Sequence, residues 1–220
     1  MKKKNAIFLF LLLSFLGYSQ KKAIKKVQTK ATQIEISTEG LDDFVLENST
    51  SEFIEIYLTA ENPNKQHIIY KEVEGTVKIE FHFPSIAIGT DKAVFRKFIT
   101  KRLQRASAII KIPQNKPVII FGNNINITSK NYGGSLDVYI EKGILKLNTI
   151  QANTKVKLYS GTVLATLKDS SIDVASSSGV ISINKKNQQE KFYKKARNSA
   201  TSFKISSTRA NIFLTTLKTQ

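Results

Sequence analysis

An all-β chain, with short N-terminal strands leading into a β-solenoid, is the fold class predicted for these 220 residues. Three observations predict it. Apolar and polar residues alternate with period two from Gln33 onward. Glycines stand at 143, 161 and 179, a spacing of 18 and 18, with apolar residues at fixed offsets around each. Finally, 41% of residues are apolar and none is cysteine, so a core can form and disulfides cannot. The expected architecture is a single-chain β-solenoid, or β-helix, of about four to five coils with an 18-residue period, preceded by short strands and one short basic helix or loop near 91–105.

The chain begins Met1-Lys2-Lys3-Lys4-Asn5, continues with an apolar run from Ala6 to Leu16, and then reads Gly17-Tyr18-Ser19-Gln20. A basic start, a short apolar stretch and small residues are the three parts of a secretory signal, and the run is about half of what a membrane-spanning helix needs. Residues 1–19 are therefore expected to be a signal peptide, and residues 20–32 a basic leader. Removing 1–19 takes away three lysines and no acid, which lowers the net charge from +17 to +14.

Residues 33–112 are expected to form an N-terminal β region. Phe53 to Leu58 and Val77 to Phe83 both alternate, and Glu61-Asn62-Pro63-Asn64-Lys65 between them has turn chemistry. In the second run Val77, Ile79, Phe81 and Phe83 share one face, which leaves His82 on the solvated one. His67 lies beside the turn, and no spacing relates the two histidines as metal ligands. From Asp91 to Arg105 the pattern changes: Phe95, Phe98, Ile99 and Leu103 fall at helical spacing among Lys92, Arg96, Lys97, Lys101, Arg102 and Arg105. Those six cations are the candidate contact with an anionic surface. The alternative is a crossover that covers one end of the β core.

Residues 113–220 carry the repeat. Val138, Val156 and Val174 stand five residues before the three glycines, Leu145, Val163 and Ile181 two after, and Leu147, Ala165 and Ile183 four after. Ala210 fits the glycine place in a further copy, with Ile205, Ile212 and Leu214 at the same offsets. Its distance of 31 from Gly179 implies an inserted loop at 184–196. Outward positions one residue before the core column are Asp137, Lys155, Asp173 and Lys204, which alternate in sign in chain order and would make an attractive ladder between stacked coils.

Catalytic signatures are weak. The sequence has no Gly-x-Ser-x-Gly elbow, phosphate loop, His-Glu-x-x-His or dinucleotide fingerprint. The serines at 176–178 have no histidine within the repeat array to act as base and are read as a solvated turn. Asp169 and Asp173 are nearby acids of a kind common on any surface. No cofactor is expected, and without cysteine there are no thiolate metal sites.

The signal peptide, Val45-Leu46-Glu47-Asn48-Ser49, the strand end Ile112-Pro113-Gln114-Asn115-Lys116-Pro117-Val118 and the repeat Tyr159-Ser160-Gly161-Thr162-Val163 resemble the secreted "putative adhesin" β-solenoid domains of bacteria, of Bacteroidota type, over about residues 33 to 216. These domains are similar to auto-transporter adhesin heads. This chain differs in its Gly-Thr and Gly-Val pairs at 161 and 179, where the family usually has Gly-Asp, and in its basic charge. The resemblance implies a non-catalytic secreted or envelope protein with an adhesin-like interaction surface, located in the periplasm, on the outer-membrane surface or outside the cell. The first alternative is a binder of anionic glycan, lipopolysaccharide or lipid through the basic clusters, since nucleic acid is a poor partner for an exported chain. The second is a carbohydrate-active β-helix enzyme.

Overall fold

The computed structural model describes residues 22–60, 62–83, 106–196 and 201–217. The expected signal peptide at 1–19 and the basic segment 91–105, with Lys92, Arg96, Lys97, Lys101, Arg102 and Arg105, lie outside the described residues. Among the described residues the regular structure is β throughout, apart from one 3₁₀ turn at Lys65–His67.

Among the described residues sixteen strands share one sheet. They are β1 (Lys22–Gln28), β2 (Gln33–Ser37), β3 (Asp43–Asn48), β4 (Phe53–Thr59), β5 (Ile68–Val73), β6 (Thr76–Phe81), β7 (Ser107–Ile112), β8 (Val118–Asn124) and β9 (Asn126–Lys130). Then come β10 (Leu136–Ile150), β11 (Thr154–Lys168), β12 (Ser171–Ser176), β13 (Ile181–Ile183), β14 (Lys186–Gln188), β15 (Lys191–Lys194) and β16 (Ser202–Leu217). Their period-two alternation turns Ile34 and Ile36, Ile54, Ile56 and Leu58, and Val77, Ile79 and Phe81 into a single apolar core.

Three long strands, β10, β11 and β16, organise the sheet. Their first halves belong to a row ordered β5-β6-β2-β8-β10-β11-β16-β12-β15. Their second halves belong to a row ordered β1-β4-β7-β3-β9-β10-β11-β16-β13-β14. Because each long strand turns from one row into the other, three residues suffice to return the chain from Ile150 to Thr154, where a flat parallel pair would need a long crossover. At the far edge Lys25 Nζ donates to the carbonyl of Ile68 at 2.9 Å and Thr29 Oγ1 to Glu72 at 2.9 Å, which ties β1 to β5. The result is a nearly closed, barrel-like sheet of mixed parallel and antiparallel strands.

This corrects the expected β-solenoid. Coils stacked in chain order would put Val174 beside Val156. Instead β16 lies between β11 and β12, and the buried residues run Val138, Val156, Ile205, Val174. The physical reason is strand length. β11 and β16 are continuous over 15 and 16 residues and pair at 14 positions, whereas β12 and β13 are interrupted at 177–180 and pair with β16 at six and three positions. Five pairings among the described residues, β1 with β4, β4 with β7, β5 with β6, β12 with β15 and β13 with β14, are antiparallel, which stacked coils would not contain.

The bends explain the glycines. Gly161 has φ +134°, and a Cβ there would lie 2.0 Å from the carbonyl oxygen of Gly143 on the next strand. A Cβ at Gly143 would lie 1.8 Å from the oxygen of Ile125. The backbones therefore touch where the long strands turn, and only a residue without a side chain fits.

Candidate functional site: an aromatic and lysine face

Outward side chains of the first row are placed by the same registers. One line across the strands reads Ile119, Asp137, Lys155, Lys204, Asp173. The next, two residues along each strand, reads Phe121, Tyr139, Lys157, Ser206, Ala175. Neighbouring strands are about 4.8 Å apart, so the side chains of each line contact one another. The rings of Phe121 and Tyr139 stack with centroids 5.5 Å apart and planes 16° apart. From β11, Lys155 Nζ and Lys157 Nζ stand 5.8 and 6.0 Å from the Tyr139 ring centre. Tyr139 Oη donates to Asp137 at 3.2 Å, which fixes the ring. Two residues beyond Lys157 the Arg209 guanidinium lies 5.8 Å from the exposed Tyr159 ring.

The order of strands changes the charge pattern. The expected ladder alternated in sign; the observed line places Lys155 directly beside Lys204, with the two aspartates at its flanks. Among the described residues neither lysine is in an ion pair. Like charges paired across strands are destabilising. Elsewhere facing charges are relieved: Lys78 faces Lys71 on β5 but lies 3.7 Å from Glu35, and the opposite row alternates in sign. There Lys26, Glu55, Lys111, Glu47 and Lys130 line up across β1, β4, β7, β3 and β9 with strict alternation. Lys26 and Glu55 are 2.7 Å apart, Lys130 and Glu47 2.8 Å, and Lys111 and Glu47 4.0 Å. The hydrogen bond from Lys26, with that from Tyr57 and the charge of Lys111, holds the Glu55 carboxyl below the usual carboxylate range.

Other expected positions do not converge. His82 is exposed, and His67 is half-buried with its ring 5.7 Å from that of Phe83. No group of three or more metal-ligating side chains occurs among the described residues. Ser177 and Ser178 are exposed, but Ser176 is fully buried and donates to the carbonyl of Ala210 at 2.7 Å, so it caps a bend and is not part of a solvated turn. An open cleft at one edge is lined by Gln28, Thr29, Lys30, Glu52, Pro113 and Lys116, and it brings no acid–base pair together with a nucleophile. No helix among the described residues is long and apolar enough to cross a membrane. Sequence reasoning missed Phe121, Tyr139 and Lys157. Their own spacing of 18 and 18 is the signal that could have found them, had the offset been applied to outward positions.

No protein-family model and no curated relative matches the chain. Among solved structures it is similar to a "putative cell adhesion protein" from Clostridium sporogenes, with 14% identity, 92% of this chain and 100% of that chain covered, and a TM-score of 0.53. Looser likenesses are a "putative adhesin" from Bacteroides fragilis (10% identity, coverages of 90% and 98%, TM-score 0.29) and a "putative lipid binding protein" from Parabacteroides distasonis (11%, 90% and 97%, 0.25). The first defines the class at the level of fold: an all-β chain folded as a bacterial protein named for cell adhesion is folded.

Proposed function

We propose that this chain is an exported, non-catalytic binding protein of adhesin type that engages the bacterial envelope or its surroundings through the outer face of its sheet. The observation that carries the reading is the line of adjacent, unpaired lysines beside a stacked aromatic pair on a rigid face. A sheet locked at its bends by glycine contacts supports such a face without moving, and preorganisation lowers the cost of binding. The fold shared with the clostridial protein supports an adhesive role, and the signal at 1–19 supports export. The excess of cations adds long-range attraction to anionic surfaces, to which Lys92, Arg96, Lys97, Lys101, Arg102 and Arg105 would contribute.

The test is retention of the purified chain from residue 20 on isolated bacterial envelope, followed against salt. Attraction between exposed charges is screened over about 8 Å at physiological ionic strength, so retention should weaken steeply as salt rises. Release of soluble sugar or lipid products with time would show turnover and overturn the non-catalytic reading; absence of retention at low salt would overturn the binding reading.

A further inference from the structure

We infer that the face formed by Phe121, Tyr139, Lys155, Lys157 and Lys204 is a subsite for acidic polysaccharide, in which sugar rings pack on the aromatic pair while their carboxylate or sulfate groups meet the lysines. The inference rests on the binding reading above and names its ligand class and site. Three observations carry it.

The first is the misplaced charge. A fold that alternates five charges without fault across β1, β4, β7, β3 and β9 sets Lys155 against Lys204 in the facing row. A local rule broken without a structural gain marks a functional position. An anion between the two ammonium groups removes their repulsion and replaces it with two charge-assisted contacts.

The second is the aromatic pair. Phe121 is 45% exposed although it is large and apolar, and its ring is held parallel to that of Tyr139 and not folded into the core. Tyr139 is fixed by Asp137 on its hydroxyl and by two lysines near its ring. Pyranose rings present flat patches of C–H groups that pack against the exposed part of Phe121, which Tyr139 holds in place, whereas a phospholipid surface would need apolar side chains free to insert. Rings held against each other on the outer face of the sheet are not free to insert, and this favours glycan over membrane.

The third is periodicity. Aromatic and cationic side chains come from consecutive strands, β8, β10, β11 and β16, in two neighbouring lines, Phe121-Tyr139-Lys157 and Lys155-Lys204, within each of which they recur at the strand spacing of about 4.8 Å. A linear polymer with one acidic group per ring can meet more than one lysine at once, and such linked contacts multiply affinity.

The experiment titrates the chain from residue 20 with polygalacturonate, with neutral dextran, and with vesicles of phosphatidylglycerol and phosphatidylcholine, at low salt, by calorimetry. Polygalacturonate should bind and dextran should not. K155Q/K204Q should weaken polygalacturonate at least about tenfold, with a melting temperature equal to or above that of the parent because a repulsion has been removed. F121A/Y139S should weaken polygalacturonate and leave vesicle binding unchanged. A lysine variant that binds polygalacturonate within about twofold of the parent would overturn the subsite. So would vesicle binding that matches polygalacturonate and falls with the same variants, which would assign the face to lipid. Failure of polygalacturonate to bind, with envelope retention intact, would overturn the ligand class while leaving the binding reading in place; loss of both would overturn both.

Discussion

Replacing Gly161 by alanine tests the bends that hold the long strands in register. At φ +134° an L side chain costs about 1–2 kcal/mol in backbone strain. The new Cβ would sit 2.0 Å from the Gly143 oxygen, and contacts under 3.0 Å do not occur, so β11 must move by about 1 Å against β10. That displacement weakens one or two interstrand hydrogen bonds, worth about 1 kcal/mol each. Alanine recovers roughly 0.4–1 kcal/mol through the unfolded chain, leaving a net loss of about 2 kcal/mol. Ala210 occupies the equivalent level on β16 and is fully buried, so Ala210→Gly is the matched control and should cost about 1 kcal/mol. Urea unfolding of the chain from residue 20, followed by circular dichroism, gives both values. A Gly161→Ala cost below about 1 kcal/mol, or one no greater than that of Ala210→Gly, would refute the backbone-contact reasoning.

Val156 is fully buried, so Val156→Asp should cost about 3–5 kcal/mol as an unpaired buried charge, while exposed Lys155→Ala should cost well under one and can stabilise; equal effects would refute the inward and outward assignment. Glu55→Gln should lower stability at pH 7 by no more than about 1 kcal/mol. Because the folded carboxyl titrates below its unfolded range, its contribution is present above about pH 4.3 and lost as pH falls through the folded value. Stability against pH should accordingly be flatter on the acid side in the variant than in the parent. Limited trypsin digestion should cut first within 184–196, where Asn184 and Lys185 have φ +50° and +65° and Lys185, Lys186 and Lys191 are exposed; peptide mapping that found an earlier cut in β10 or β11 would refute this.

Strands such as Phe53 to Leu58 and Val77 to Phe81 were legible in the sequence because burial on one face forces period-two alternation, whereas β1, β14 and β15 were not, since their Lys-rich runs read as a leader and a loop. The offset of 18 was legible too, since it sets the pairing of Val138 with Val156 and of Gly143 with Gly161. Neighbour order was not. Val174 and Ile205 carry the same local signal, and nothing local says which of them lies beside Val156. That choice is made by the total length of pairing, which favours the unbroken β16 over the interrupted β12 and β13. Strand order also decides which charges meet. With the order reversed, Lys155 and Lys204 looked like rungs of an attractive ladder, and the place where their charges collide was hidden. The true alternating ladder links β1, β4, β7, β3 and β9, which are far apart in sequence and share no period.

Lys155 beside Lys204 is the contact on which both the fold correction and the proposed site depend, and a chain without native cysteine allows it to be measured directly. Paired positions on adjacent strands lie within the roughly 4.4–6.8 Å Cα separation that a disulfide requires, while positions two strands apart lie beyond it. Oxidation of K155C/K204C should give an intramolecular disulfide in high yield with native spectra, and oxidation of K155C/D173C should leave free thiols. The opposite outcome, a bridge from 155 to 173 and none from 155 to 204, would restore stacking in chain order and remove the lysine pair from the surface.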